Sequence, residues 1–295
     1  MDGFVVEEPR ARRIELAERG GAMAALEFGP PDRPIDIVFS HANGFNARTY
    51  RTILAPLGAD LRILALDLRG HGRSELPTVT EGRTSWDGLA DDLLALLGAL
   101  DIRGAVLSGH SMGGTSSLLA AAGAPERVKS LVLFEPVLLP PGASAAYRSG
   151  QATASPLEIA ARRRRAVFAN REEARSAYAG RGAFKSWSEA QLTDYVEDGF
   201  RDRPDNQVEL SCAPAWEASN FAAHAHDPWP VLRAPPRPIR ILRAEHASTS
   251  SSLTPHLDEL QAAGLRIETV AGTTHFLPME RPEVVRAALR EAAGA

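Results

Sequence analysis

The chain has 295 residues, 44% hydrophobic and 24% charged, with a formal net charge of −4 and 24 glycines. That length suits one large domain, or a core carrying a smaller insertion. The mild acidity argues against a nucleic-acid-binding face, which is basic, and the single cysteine, Cys212, excludes an internal disulfide. Cys212 reads as a small buried hydrophobe rather than a reactive thiol. No apolar run is long enough for a transmembrane helix. Early acids (Asp2, Glu7, Glu8) without an apolar stretch give no sign of a signal peptide, so the expectation is a soluble cytoplasmic protein.

In chain order, Met23–Phe28 and Ile35–Phe39 read as strands, Ala47–Pro56 as a helix and Arg62–Leu66 as a strand. Trp86–Leu100 has a helical apolar pattern, Ala105–Leu107 is a strand, Thr115–Ala122 a helix and Leu131–Phe134 a strand. Such alternation implies crossover connections and a mostly parallel α/β sheet with helices on both faces. The apolar runs are continuous rather than alternating, which suits strands buried on both sides.

The rhythm breaks after Glu135-Pro136, at the cluster Leu138-Leu139-Pro140-Pro141-Gly142. Residues 137–228 then read as helices without a convincing strand: Leu157–Asn170, Glu172–Ala179, Ser188–Phe200 and Pro214–Ala223. The run Arg162-Arg163-Arg164-Arg165 reads as a solvated helix face. Prolines between 228 and 238 mark a return to sheet, with strands at Ile239–Leu242 and Ile267–Val270 and a last helix at Pro282–Ala293. The domain reading is therefore a core of 1–136 and 229–295, interrupted by a helical insertion, 137–228.

The chemistry centres on Gly109-His110-Ser111-Met112-Gly113-Gly114, a G-x-S-x-G sequence between an apolar strand and a helix. A sharp strand-to-helix turn lifts a serine hydroxyl to where a base and a substrate can both reach it. Among the eight histidines, only His275 follows a late strand in a loop, and that loop leaves the carboxyl edge where Ser111 also lies. His275 is the candidate base, while His41 and His71 read as loop organisers. Charge developing on a carbonyl oxygen needs fixed N–H donors. Met112 N–H supplies one, and the loop Ser40-His41-Ala42-Asn43-Gly44-Phe45 offers a second, with Phe45 preferred and Gly44 its rival.

Four motifs together resemble the α/β-hydrolase fold superfamily over nearly the whole chain. They are the His41–Phe45 loop, Asp67-x-Arg69-Gly70-His71-Gly72-x-Ser74, the GHSMGG turn, and Thr274-His275-Phe276-x-x-x-Glu280-x-Pro282. The resemblance implies an eight-stranded sheet, a helical cap inserted after the sixth strand, and a triad acid at one of two places. The common Gly-x-x-Asp turn after the cap stands here as Ala244-Glu245-His246-Ala247, which leaves Glu245 as one candidate. Haloalkane dehalogenases, relatives with an Asp nucleophile, carry the acid at the end of the strand before the cap. Glu135 occupies that place and is preferred.

Serine in place of aspartate argues against dehalogenase and epoxide-hydrolase chemistry. The expected activity is carboxylic ester cleavage on small to medium apolar esters. C–C bond hydrolysis, lactone hydrolysis and a non-catalytic ligand-binding protein on the same scaffold are the alternatives. No cofactor or metal is implied, and the partner expected is a small-molecule ester. The insertion is rich in aromatic residues. Trp187, Trp216 and Phe221, with His110, are candidate substrate contacts.

Overall fold

The computed structural model describes residues 8–295, so Asp2 and Glu7 lie outside the described residues. Six strands precede the break: β1 (Arg10–Leu16), β2 (Gly21–Phe28), β3 (Ile37–Ser40), β4 (Ile63–Leu66), β5 (Ala105–His110) and β6 (Val128–Phe134). Three short strands follow, β7 (Val167–Phe168), β8 (Phe200–Asp202) and β9 (Val208–Leu210), and then β10 (Ile239–Ala244) and β11 (Arg266–Val270). The main sheet has eight strands in the order β1-β2-β4-β3-β5-β6-β10-β11. From β4 to β11 every neighbouring pair is parallel, while β1 and β2 are antiparallel.

Both faces of this sheet are covered, which explains the unbroken apolar runs. Val38, Leu64, Leu107, Leu131 and Leu133 point to the side where Leu93, Leu97 and Leu118 of two helices pack. Their alternating neighbours Ile37, Phe39, Ile63, Val106 and Val132 meet Tyr50, Ile53 and Leu289 on the other. The helices Asp87–Ala99, Met112–Gly123 and Pro282–Ala293 match the sequence expectation to within a few residues. Among the described residues no helix is long and apolar enough to cross a membrane.

Four features depart from the sequence reading. Strand β1 went unread because Arg10–Leu16 is mostly charged. Only Ile14 and Leu16 of it are buried, and pairing with β2 defines it more than apolar content does. The segment 137–228 is not purely helical: β7, β9 and β8 form a small antiparallel sheet within it. Strands of two or three residues are too short to show a period of two. The helix expected over Leu157–Asn170 ends at Arg162, and Val167-Phe168 pairs with Val208-Glu209 instead. Finally, the arginine run is not a uniform solvated face, because Arg164 turns inward to Glu217 Oε2 at 2.8 Å and to the Tyr195 hydroxyl.

Candidate active site

Ser111 and Glu135 are the first residues beyond β5 and β6. The ladder runs on into both, since Ser111 N–H donates to Phe134 O at 3.0 Å and Glu135 N–H to Leu242 O at 2.9 Å. Each then turns with a positive φ, 56° at Ser111 and 48° at Glu135, a region that side-chain-bearing residues rarely occupy. Such strain persists only where the surroundings enforce it, and it clusters at functional sites. The glycines around Ser111 make the turn possible. A Cβ on Gly113 would stand 2.3 Å from Ser40 O, and one on Gly109 would stand 2.5 Å from the Gly113 carbonyl carbon. Gly113→Ala forces backbone against backbone, so we expect a loss of about 3 kcal/mol and a lower Tm on thermal melting. An unchanged Tm would contradict the packing described.

His275 follows β11 and reaches across to both residues. Its Nε2 lies 3.0 Å from Ser111 Oγ, and its Nδ1 lies 3.2 Å from Glu135 Oε2. The Glu135 carboxylate can only accept, so Nδ1 carries the proton and Nε2 is free to accept from the serine hydroxyl. Glu135 is fully buried. Its Oε1 accepts from Ala244 N–H at 2.5 Å and from the Ser248 hydroxyl at 2.6 Å, and its Oε2 accepts from Thr249 N–H at 3.0 Å. Burial raises its pKa, but the bonds from His275, Ser248 and Ala244 outweigh that and hold it below the usual carboxylate value.

A depressed folded pKa means a stabilising contribution that is complete above the unfolded value, about 4.3, and lost as pH falls through the folded one. The Tm difference between wild type and Glu135→Gln should therefore be largest near neutrality and shrink in acid. A difference that grows below about pH 4 would contradict this sign.

The other acid candidate is placed elsewhere. Glu245 Oε2 accepts from Gly272 N–H at 2.8 Å, its side chain is 48% exposed, and His275 is not among its partners. Ala247, at φ 51°, stands in the turn where the common acid would be. The following Ser248 and Thr249 hold Glu135 instead. That cluster of hydroxyls, Ser248 to Ser252, is the signal in the sequence that could have favoured Glu135 without coordinates.

His110 was expected among the substrate contacts, but it is buried with both ring nitrogens occupied. Its Nε2 donates to His275 O at 2.7 Å, so its Nδ1 accepts from the Tyr50 hydroxyl at 2.7 Å. Burial pushes it down to about 3, and His275 adds to the effect. His110 is thus a neutral brace for the His275 backbone, with no ring nitrogen left for a ligand.

The loop after β3 is tied down from beneath. His41 Nε2 accepts from Leu68 N–H at 2.9 Å, and His71 Nε2 accepts from Gly44 N–H at 3.0 Å. Burial holds both histidines neutral, His71 down to about 4. Phe45 N–H donates to Ala42 O at 3.1 Å, closing a turn that needs the positive φ of Gly44. The two amides expected as a second oxyanion donor are therefore engaged. Among the described residues Asn43 N–H and Met112 N–H have no hydrogen-bond partner.

Of the aromatic candidates, Trp187 stands edge-on to Phe45 with centroids 5.0 Å apart, and its buried Nε1 has no partner. Trp216 is buried, and its indole N–H donates to Arg69 O at 2.8 Å. Phe221 is half-buried on the helix Pro214–Ala222 and shares no aromatic contact with the site. Cys212 is buried, and burial pushes its thiol up, which suits an inert side chain. Among the described residues no group of His, Cys, Asp and Glu is assembled to hold a metal ion.

A parallel sheet whose carboxyl edge carries a strained serine, a histidine and a buried acid defines an α/β-hydrolase architecture. The sequence profile of the alpha/beta hydrolase family matches residues 37–288, and the chain belongs to that family. Over 127 residues it is 39% identical to a dihydrolipoyllysine-residue acetyltransferase component of an acetoin cleaving system from Pseudomonas putida, covering 43% of this chain and 31% of that one. It is 33% identical over 105 residues to 3-oxoadipate enol-lactonase 1 from Acinetobacter baylyi, covering 36% of this chain and 38% of that one. The chain thus spans well under half the length of these curated relatives. Among solved structures, E-2-(acetamidomethylene)succinate hydrolase superposes with a TM-score of 0.80 at 23% identity, covering 97% of this chain and 100% of that one. That likeness is one of fold.

Proposed function

We propose that the protein is a serine hydrolase that cleaves carboxylic esters through an acyl-enzyme. The observation that carries this reading is the continuous relay Ser111 Oγ, His275 Nε2, His275 Nδ1, Glu135 Oε2, with spacings of 3.0 and 3.2 Å. His275 takes the Ser111 proton as Oγ attacks the ester carbonyl, then returns it to the departing alkoxide. Water repeats the sequence on the acyl-enzyme and releases the acid. Glu135 fixes the tautomer and stabilises the imidazolium. Met112 N–H, at the start of a helix, and Asn43 N–H supply the oxyanion donors, so the second donor moves from Phe45 to Asn43.

Residues 137–228 act as a lid. Asn43 Nδ2 donates to Glu217 O at 3.0 Å, Arg51 pairs with Asp194 at 2.7 Å, and Trp187 leans on Phe45, so segment and core meet around the serine. A lactone is an internal ester and needs the same relay, and the partial likeness to an enol-lactonase keeps lactones among the substrates to assay. The test is hydrolysis of p-nitrophenyl acetate, butyrate and octanoate by wild type and Ser111→Ala. Ester turnover confined to the wild type supports the reading, and turnover that survives the substitution overturns it.

A further inference from the structure

Beside the loop after β3, where residues 69–86 meet the helix Pro214–Ala222, lies a cation that forms no ion pair among the described residues. The Arg83 guanidinium lies 4.4 Å from the centre of the Trp216 ring. Its Nη1 donates to Ser219 Oγ at 3.4 Å, and the Ser219 proton goes on to Trp216 O at 2.8 Å. Among the described residues no carboxylate lies within ion-pairing distance of Arg83, because the acids nearby are already taken. Asp92 is shared between Arg19 at 2.7 Å and Arg69 at 2.5 Å. Glu217 is held by Arg164 at 2.8 Å. Burial, reinforced by Arg69, pushes Arg83 down to about 10, which leaves it cationic near neutrality.

The charge of Asp92 reaches Arg83 without an ion pair between them, and the neighbouring imidazoles add no negative charge. His71 and His224 are held down to about 4 and His226 to about 3, in each case first by burial and further by Arg83. His224 is only 8% exposed, yet its Nδ1 has no hydrogen-bond partner. The junction therefore combines a half-buried guanidinium that pairs with no carboxylate and a buried imidazole nitrogen without a hydrogen-bond partner, and a ligand acceptor would satisfy both. Two neighbours of this junction tie it to the loop after β3. His71 accepts from Gly44 N–H at 3.0 Å, and Asn220, on the same helix as Ser219, donates to Asn43 Oδ1 at 2.8 Å.

We propose that Arg83 binds a carboxylate carried by the substrate, so that the preferred ester is the half-ester of a short dicarboxylic acid. The inference rests on the ester-hydrolase reading and deepens it. A guanidinium carbon held over an indole leaves N–H groups to donate, and the guanidinium fork matches the two oxygens of one carboxylate. His224, in its Nδ1–H tautomer, adds a second donor. The apolar wall formed by Phe45 and Trp187 takes the rest of the molecule.

Calorimetric titration of the full chain carrying Ser111→Ala separates binding from turnover. Monomethyl glutarate should bind at least tenfold more tightly than methyl valerate, its neutral counterpart. Adding Arg83→Gln should abolish that preference, and Arg83→Lys should keep part of it, with Tm measured to confirm folding. A half-ester that binds no better than the neutral ester, including the case in which neither binds, overturns the proposal. So does a preference that survives Arg83→Gln. The two readings fail separately: Ser111-dependent turnover of neutral esters without anion preference leaves the serine chemistry standing. Anion preference with turnover independent of Ser111 does the reverse.

Discussion

Ser111→Ala should reduce kcat for p-nitrophenyl butyrate on the order of 10⁶-fold while leaving KM within a small factor. The serine contributes only in the transition state, where the Oγ–carbonyl bond forms, so its loss appears in kcat rather than in binding. A residual rate above that of water should remain, because the Met112 and Asn43 amides still polarise the carbonyl. The fold should tolerate the change, since the serine Oγ has His275 Nε2 as its hydrogen-bond partner within the protein. Steady-state kinetics with a matched melting curve check both halves. A variant that keeps a tenth of the wild-type kcat would mean that another group performs the attack.

The second large effect distinguishes two glutamates. Glu135→Gln should lower kcat by about 10⁴-fold, because an amide in that position no longer fixes the productive His275 tautomer or stabilises the imidazolium. It should also cost stability, since Ala244 N–H and the Ser248 hydroxyl then share a weaker acceptor in a buried place. Glu245→Gln should leave kcat near wild type: among the described residues its carboxylate meets Gly272 N–H and the neighbouring His246 alone, and half of the side chain faces water. Parallel kinetics on the two variants decide the acid. A large loss in Glu245→Gln with little in Glu135→Gln would reverse the assignment.

Much of this was legible in the sequence because the decisive features are local. The Gly-x-Ser-x-Gly turn reads directly, since its glycines answer to backbone contacts that a Cβ would violate. The strand Leu131–Phe134 ends in a glutamate, and the loop of His275 follows a late strand, so the parallel topology brings all three residues to one edge. What escaped depends on non-local pairing. Strand β1 is defined by its ladder to β2 rather than by its own apolar residues, and β7 to β9 are shorter than any period can reveal.

The roles of polar side chains were the hardest to read. His110 neighbours the serine in sequence but spends both nitrogens on Tyr50 and the His275 carbonyl. Arg164 sits in a run of four arginines, and nothing in the sequence tells which of them finds Glu217. Phe45 N–H was a reasonable donor until the turn closed by Gly44 committed it to Ala42 O.

The most direct test of the central claim is intact-mass analysis followed by peptide mapping after a fluorophosphonate is added to the full chain. The account predicts a single adduct on the peptide containing Ser111, absent from Ser111→Ala and formed far more slowly in Glu135→Gln. An adduct on any other residue, or ester turnover that continues in fully labelled protein, would contradict it.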